Sequence, residues 1–143
     1  MDELQDLYQD IILSHNKRPR NEGVLDPHTH EAEGFNPLCG DRIRVFLRIA
    51  GGMVEGISFV GDGCAISRAS ASIMTERLKG TPVAELGARV REIVAMLSGE
   101  DDPHLALDTD GDLAALAGVR KFPARIKCAT LAWHAAEEAG GNL

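Results

Sequence analysis

Residues 42 to 60 do most to limit what this chain can fold into. Arg42-Ile43-Arg44-Val45-Phe46-Leu47-Arg48-Ile49 largely alternates polar and apolar side chains, Gly51-Gly52 follows, and Met53 to Val60 again mixes β-branched and apolar residues. Such runs on either side of a glycine pair predict a β-hairpin. A short strand around Glu33 to Leu38 can pair at its edge, giving a small antiparallel sheet with Cys39 to Asp41 as the connection into the hairpin. The second hairpin strand runs into Gly61-Asp62-Gly63-Cys64, after which Ile66, Ala69, Ile73, Met74 and Leu78 recur at helical spacing until Gly80-Thr81-Pro82 stops them.

Helical patterns surround this centre. Leu4, Leu7, Tyr8, Ile11 and Ile12 predict an amphipathic helix over 3 to 14. The stretch Ser14 to Gly23 then breaks it with a proline and gathers Lys17, Arg18 and Arg20; a solvated loop and a docking patch are equally compatible with those residues. Val24 to Glu33 reads as a connection in which His28-Thr29-His30 has chelating residue types, although exposed loop histidines are common. Pro82 to Ser98 predicts a helix with Val83, Leu86, Val90, Ile93, Val94 and Leu97 inward, and Gly99 to Asp112 reads as an acidic loop. Asp108-Thr109-Asp110-Gly111-Asp112 has its glycine fourth where a calcium-binding EF-hand loop needs it sixth, and lacks the glutamate at the twelfth position. A short helical turn over Leu113 to Leu116 and a last helix from Pro123 to Gly140-Gly141 complete an α+β chain, read as a single domain over 1–143.

At 143 residues such a domain buries roughly 68–70% of its unfolded surface, so its core needs no disulfide. A balance of 15 basic to 22 acidic residues, net −7, together with one Trp, one Tyr and four Phe, argues against nucleic acid as a partner. No apolar run reaches membrane-spanning length, and Met1-Asp2-Glu3-Leu4 lacks the order of a secretory signal. The expected location is cytoplasmic. There, three widely spaced cysteines, Cys39, Cys64 and Cys128, read as ligands, nucleophiles or packing residues rather than a disulfide framework.

Cys39 and Asp41 stand two residues apart in the Pro- and Gly-bounded loop Asn36-Pro37-Leu38-Cys39-Gly40-Asp41. Cys64 falls at or just before a helix amino terminus, where free N–H groups and the helix dipole favour a thiolate. Cys128 falls in or near the opening turns of the last helix, since Pro123 suits a first-turn position; His134 lies on another face of that helix. Three thiols and one carboxylate are a complete tetrahedral set for a thiophilic metal, provided the fold brings them together. Within it the carboxylate is the harder, more exchangeable ligand. Paired Cys-x-x-Cys spelling is absent, and no histidine stands by motif beside a cysteine as a cysteine protease would need.

Asn36-Pro37-Leu38-Cys39-Gly40-Asp41, Gly61-Asp62-Gly63-Cys64-Ala65-Ile66-Ser67 and Phe122-Pro123-Ala124-Arg125-Ile126-Lys127-Cys128-Ala129-Thr130-Leu131 together resemble the SufU branch of the IscU/NifU-like iron–sulfur assembly proteins. The resemblance extends over essentially the whole chain, including Pro19-Arg20-Asn21-Glu22-Gly23. It implies a small antiparallel sheet of about three strands packed by helices. It also implies Zn2+ held by Cys39, Asp41, Cys64 and Cys128, and a SufS-type cysteine desulfurase as partner. By resemblance the chain is a sulfurtransferase-like relay: Cys39 takes persulfide sulfur, Arg125 steers the partner or stabilises the persulfide, and downstream iron–sulfur assembly proteins receive the product. Two rivals stand beside it, a scaffold carrying a transient [2Fe-2S] cluster and a module whose zinc is purely structural.

Three departures from the IscU branch favour the relay. The residue before the third cysteine is Lys127, where IscU-like scaffolds carry His; the Val83 to Asp112 region is longer; and Phe122-Pro123-Ala124-Arg125 stands where IscU presents a chaperone-binding segment. A fourth, Asn16 after His15 where the family usually has Tyr, weakens the docking-patch reading of the early basic stretch.

Overall fold

The computed structural model describes residues 3–38, 40–99 and 111–141, with backbone only at 3–8, 111, 114 and 121. Its elements are α1 (Glu3–Lys17), β1 (His30–Asn36), β2 (Asp41–Ala50), β3 (Met53–Asp62), α2 (Ala65–Leu78), α3 (Val83–Leu97), α4 (Gly111–Ala117), a 3-10 turn (Gly118–Lys121) and α5 (Pro123–Gly141). The three strands form one antiparallel sheet in the order β1-β2-β3, which is the α+β architecture the alternation predicts.

Register decides what lies at each end of that sheet. Asn36 pairs with Asp41 and Arg42 with Asp62, so the β1–β2 loop and the β3–α2 junction share one end. Inward residues Ile43, Val45, Leu47, Val54, Ile57 and Phe59 form one wall of the core, met by Ile73, Met74 and Leu78 of α2, Leu86, Val90 and Leu97 of α3, and Trp133 with a row of alanines on α5. The alanines let α5 approach closely; a Cβ at Gly34 of β1 would come within 2.9 Å of Leu131.

Helix α2 is buried nearly all round, including Ser67, Ser70, Ser72 and Thr75. Buried hydroxyls need partners, and these serve as ties. Ser70 donates to the Ala129 carbonyl and accepts the indole N–H of Trp133 at 2.9 Å. Thr75 Oγ1 meets the Asn21 amide at 3.0 Å, and Ser72 Oγ accepts the Arg20 N–H at 2.8 Å.

The boundaries of α1 and β1 differ from the sequence expectation in ways that matter for the interior. Helix α1 continues to Lys17 rather than ending at residue 14, because it is Pro19, which disfavours helix in the residue before it, that stops the turn. His15 is thereby carried into the interior, 2% exposed, instead of lying in a solvated loop. Strand β1 begins at His30 rather than Glu33 and ends at Asn36; residues that read as polar connection pair with Phe46 and Leu47 of β2. The early Pro19-to-Gly23 stretch covers part of the β3 edge: Phe59 N–H donates to the Asn21 carbonyl at 3.1 Å and Gly23 N–H to the Phe59 carbonyl at 2.8 Å, which protects an otherwise open strand edge. The would-be calcium loop lies mostly outside the described residues.

Candidate metal centre

Asp41 opens β2 and is 1% exposed. Because β2 is in register with the end of β3, its carboxylate lies beside Gly63, where a Cβ would come within 2.9 Å of Asp41 Oδ1; only glycine leaves that space. Cys64 is the residue immediately before α2, in extended conformation, and its side chain caps no helix N–H. Its own backbone N–H donates to Asp41 Oδ1 at 3.0 Å. The carboxylate therefore sits off the amino end of α2, where the helix dipole favours negative charge.

Cys128 is the sixth residue of α5 and fully buried. Its N–H is inside the helical hydrogen-bond ladder and the dipole acts mainly within the first turn, so that stabilisation belongs to Cys64 and not to Cys128. Ligand atoms of Asp41, Cys64 and Cys128 all lie within 4.8 Å of one another, with Cys64 Sγ 3.9 Å from Asp41 Oδ2. A tetrahedral Zn2+ with Zn–S of about 2.3 Å and Zn–O of about 2.0–2.2 Å has edges of about 3.6–3.8 Å. The spacing and the donor types fit a thiophilic divalent ion.

Burial pushes the Asp41 carboxyl up, but hydrogen bonds from Ser67, from the Cys128 thiol and from the Cys64 N–H and thiol outweigh it and hold the group below its ordinary value. Ser67 donates to Asp41 Oδ2 at 2.6 Å and lies 3.3 Å from the Cys128 carbonyl. Sequence reasoning gave Ser67 no role; its position three residues after Cys64, one helical turn on the same face, was the available signal.

Cys39, the fourth sulfur or carboxylate ligand expected from sequence, lies outside the described residues. The ends of its loop are ordered by Asn36: the Gly40 N–H donates to the Asn36 carbonyl at 2.8 Å and the Leu38 N–H to Asn36 Oδ1 at 3.2 Å. Asn36 Nδ2 is buried with no hydrogen-bond partner among the described residues, an orphan donor at the base of a loop expected to carry a thiolate. Arg125 is exposed on the first turn of α5, one helical turn before Cys128, and His134 is exposed.

His28 and His30 do not converge on a ligand group among the described residues; their rings bond to Leu25 and Glu31, and to Thr29. A second group, which the sequence reading missed, comprises His15, Glu76 and Asp112. The His15 ring meets Ser72 Oγ at 2.7 Å through Nδ1 and Asp112 Oδ2 at 2.9 Å through Nε2.

A three-stranded sheet backed by helices, with two cysteines and an aspartate brought to one end, defines a class of small thiolate-and-carboxylate metal proteins. The profile of the NifU-like N-terminal domain matches residues 7–129, and the chain belongs to that family. It is 45% identical to the zinc-dependent sulfurtransferase SufU of Bacillus subtilis, over 97% of this chain and 96% of that protein. It is 40% identical to the iron–sulfur cluster assembly scaffold protein IscU of Streptococcus pyogenes, over 97% of this chain and 86% of that protein. A crystal structure from Fervidobacterium islandicum, described as a candidate iron–sulfur cluster assembly scaffold for the SUF system, superimposes with a TM-score of 0.82 at 27% identity, covering 95% of this chain and 98% of that one. No described helix is long and apolar enough to cross a membrane.

Proposed function

We propose that this protein is a zinc-dependent sulfur acceptor in iron–sulfur cluster assembly, working in the cytoplasm with a SufS-type cysteine desulfurase and passing sulfur on to downstream assembly proteins. The observation that carries the reading is the convergence of Asp41, Cys64 and Cys128 within 4.8 Å at the end of the sheet where the Cys39 loop begins, in a chain 45% identical to a zinc-dependent sulfurtransferase. Cys39, Asp41, Cys64 and Cys128 hold the metal, which when bound keeps thiolates deprotonated at neutral pH.

The transfer itself is a sulfur exchange without net oxidation. The Cys39 thiolate attacks the outer sulfur of the partner's persulfide; a new S–S bond forms on Cys39 as the partner's S–S bond breaks, and the partner's cysteine leaves as thiolate. A loop cysteine suits this step better than helix-borne Cys128, which is fully buried. Leu38 and Phe122 are 79% and 62% exposed, apolar surface of the kind that marks protein contact. Arg125 steers the docked partner or stabilises the persulfide anion.

The competing scaffold reading draws on the IscU relatives, one of them 40% identical. Cys39→Ala decides for or against the relay: it should abolish stimulation of the desulfurase while leaving the chain folded by circular dichroism. Full stimulation by that variant would remove Cys39 as acceptor, and a transferable [2Fe-2S] cluster after anaerobic reconstitution would favour the scaffold. Arg125→Ala should weaken stimulation through the apparent affinity for the desulfurase and leave zinc content unchanged.

A further inference from the structure

Ser67 Oγ lies at the middle of the centre: 2.6 Å from Asp41 Oδ2, 3.3 Å from the Cys128 carbonyl and 3.7 Å from Cys64 Sγ. Ser67 and Asp41 are each 1% exposed. One hydroxyl proton serves the shorter, charge-assisted contact, so the carboxylate has both oxygens held, Oδ1 by the Cys64 N–H and Oδ2 by Ser67. Each carboxylate oxygen has two lone pairs, and a metal can take one while these donors keep the others. We propose that Ser67 is a positioning residue for the metal: its hydroxyl fixes Asp41 Oδ2 and so holds the buried carboxylate in place as a ligand.

This reverses the simple expectation that the hard carboxylate is the ligand that comes and goes. An aspartate buried to this degree cannot swing into water without breaking two hydrogen bonds and emptying the space beside Gly63. The proposal rests on the proposed function only for the identity of the metal; the anchoring of Asp41 concerns metal binding and not sulfur transfer.

The test is zinc affinity, measured against a chromophoric chelator, with the ligand-field and thiolate-to-cobalt bands of the Co2+-substituted protein as a second readout. Ser67→Ala should weaken zinc on the order of 10–100-fold and alter the cobalt bands, and Ser67→Thr should restore both by returning the hydroxyl. Ser70→Ala, one turn further along α2, removes the tie to Ala129 and Trp133; it should lower thermal stability and leave zinc affinity unchanged. Wild-type affinity and bands in Ser67→Ala would overturn the proposal, as would equal weakening in Ser70→Ala. A wild-type protein that binds zinc and shows the Ser67 effect but never carries persulfide would overturn the relay and support the anchoring, whereas one that binds no zinc would overturn both.

Discussion

Two groups of ligand-type side chains lie along α2, and they have opposite hydrogen-bond balances. At its amino end Asp41, Cys64 and Cys128 converge; toward its carboxyl end His15, Glu76 and Asp112 do. In both, three ligand atoms lie within the same 4.8 Å. In the second group the imidazole is its own donor: with Nε2–H directed to Asp112 and Nδ1 accepting from Ser72, whose oxygen takes the Arg20 N–H, both ring nitrogens are partnered. In the first, the thiol protons of Cys64 and Cys128 are shared with Asp41, and these are the protons a metal displaces on binding. Proximity alone does not define a metal centre; the balance of donors and acceptors separates a centre from a structural tie.

The comparison breaks most visibly if a cysteine is removed. Cys64→Ala or Cys128→Ala should leave the protein without stoichiometric zinc by elemental analysis, whereas His15→Ala should retain it; loss of zinc in His15→Ala would mean that the two groups are not independent. The same His15→Ala variant has its own large effect, on stability. It removes the buried imidazole that meets Ser72 Oγ and Asp112 Oδ2, and the expected cost is about 1–3 kcal/mol in urea unfolding of the metal-free protein, measured at the same pH as wild type.

Gly63→Ala sharpens the contrast at the other end. The added methyl would sit 2.9 Å from Asp41 Oδ1, so the carboxylate must move, and zinc affinity should fall by about 10–100-fold with the His15 group untouched. Unchanged affinity would show that Asp41 does not contribute to binding. The smallest expected effect is in the acid unfolding of the metal-free protein. The Asp41 carboxyl is held below its ordinary value of 3.8, so the stability it contributes is fully present above that value and is lost as pH falls through the lower, folded-state one. Asp41→Asn should flatten this part of the stability curve below pH 3.8, leaving the neutral region of the profile with its wild-type shape; an acid limb identical to wild type would contradict the hydrogen-bond account of Asp41.

Much of this was legible from residues. Alternation about Gly51-Gly52 marks β2 and β3, helical spacing marks α2, α3 and α5, and Gly61-Asp62-Gly63-Cys64 puts the second cysteine at a helix start. Less legible were features set by tertiary partners. Strand β1 starts inside a His- and Glu-rich stretch because pairing with β2, not side-chain pattern, makes it a strand. Helix α2 buries hydroxyls that a hydrophobic period passes over, so Ser67 and Ser72 were invisible as organisers. His15 reads as a polar residue in a basic stretch until the helix extending to Lys17 turns it inward. Cys128, expected in or near the opening turns of the last helix, is its sixth residue, beyond the reach of the terminal dipole.

The central claim is that the thiol-and-carboxylate group serves sulfur transfer through Cys39. It is tested most directly by incubating the zinc-loaded protein with a SufS-type desulfurase and cysteine, alkylating, and locating added sulfur by peptide mass spectrometry. The account predicts one extra sulfur atom on the Cys39 peptide, absent when the desulfurase is omitted and unaffected in His15→Ala. Unmodified Cys39 under conditions where the desulfurase itself carries persulfide, or sulfur on Cys64 or Cys128 instead, would contradict it.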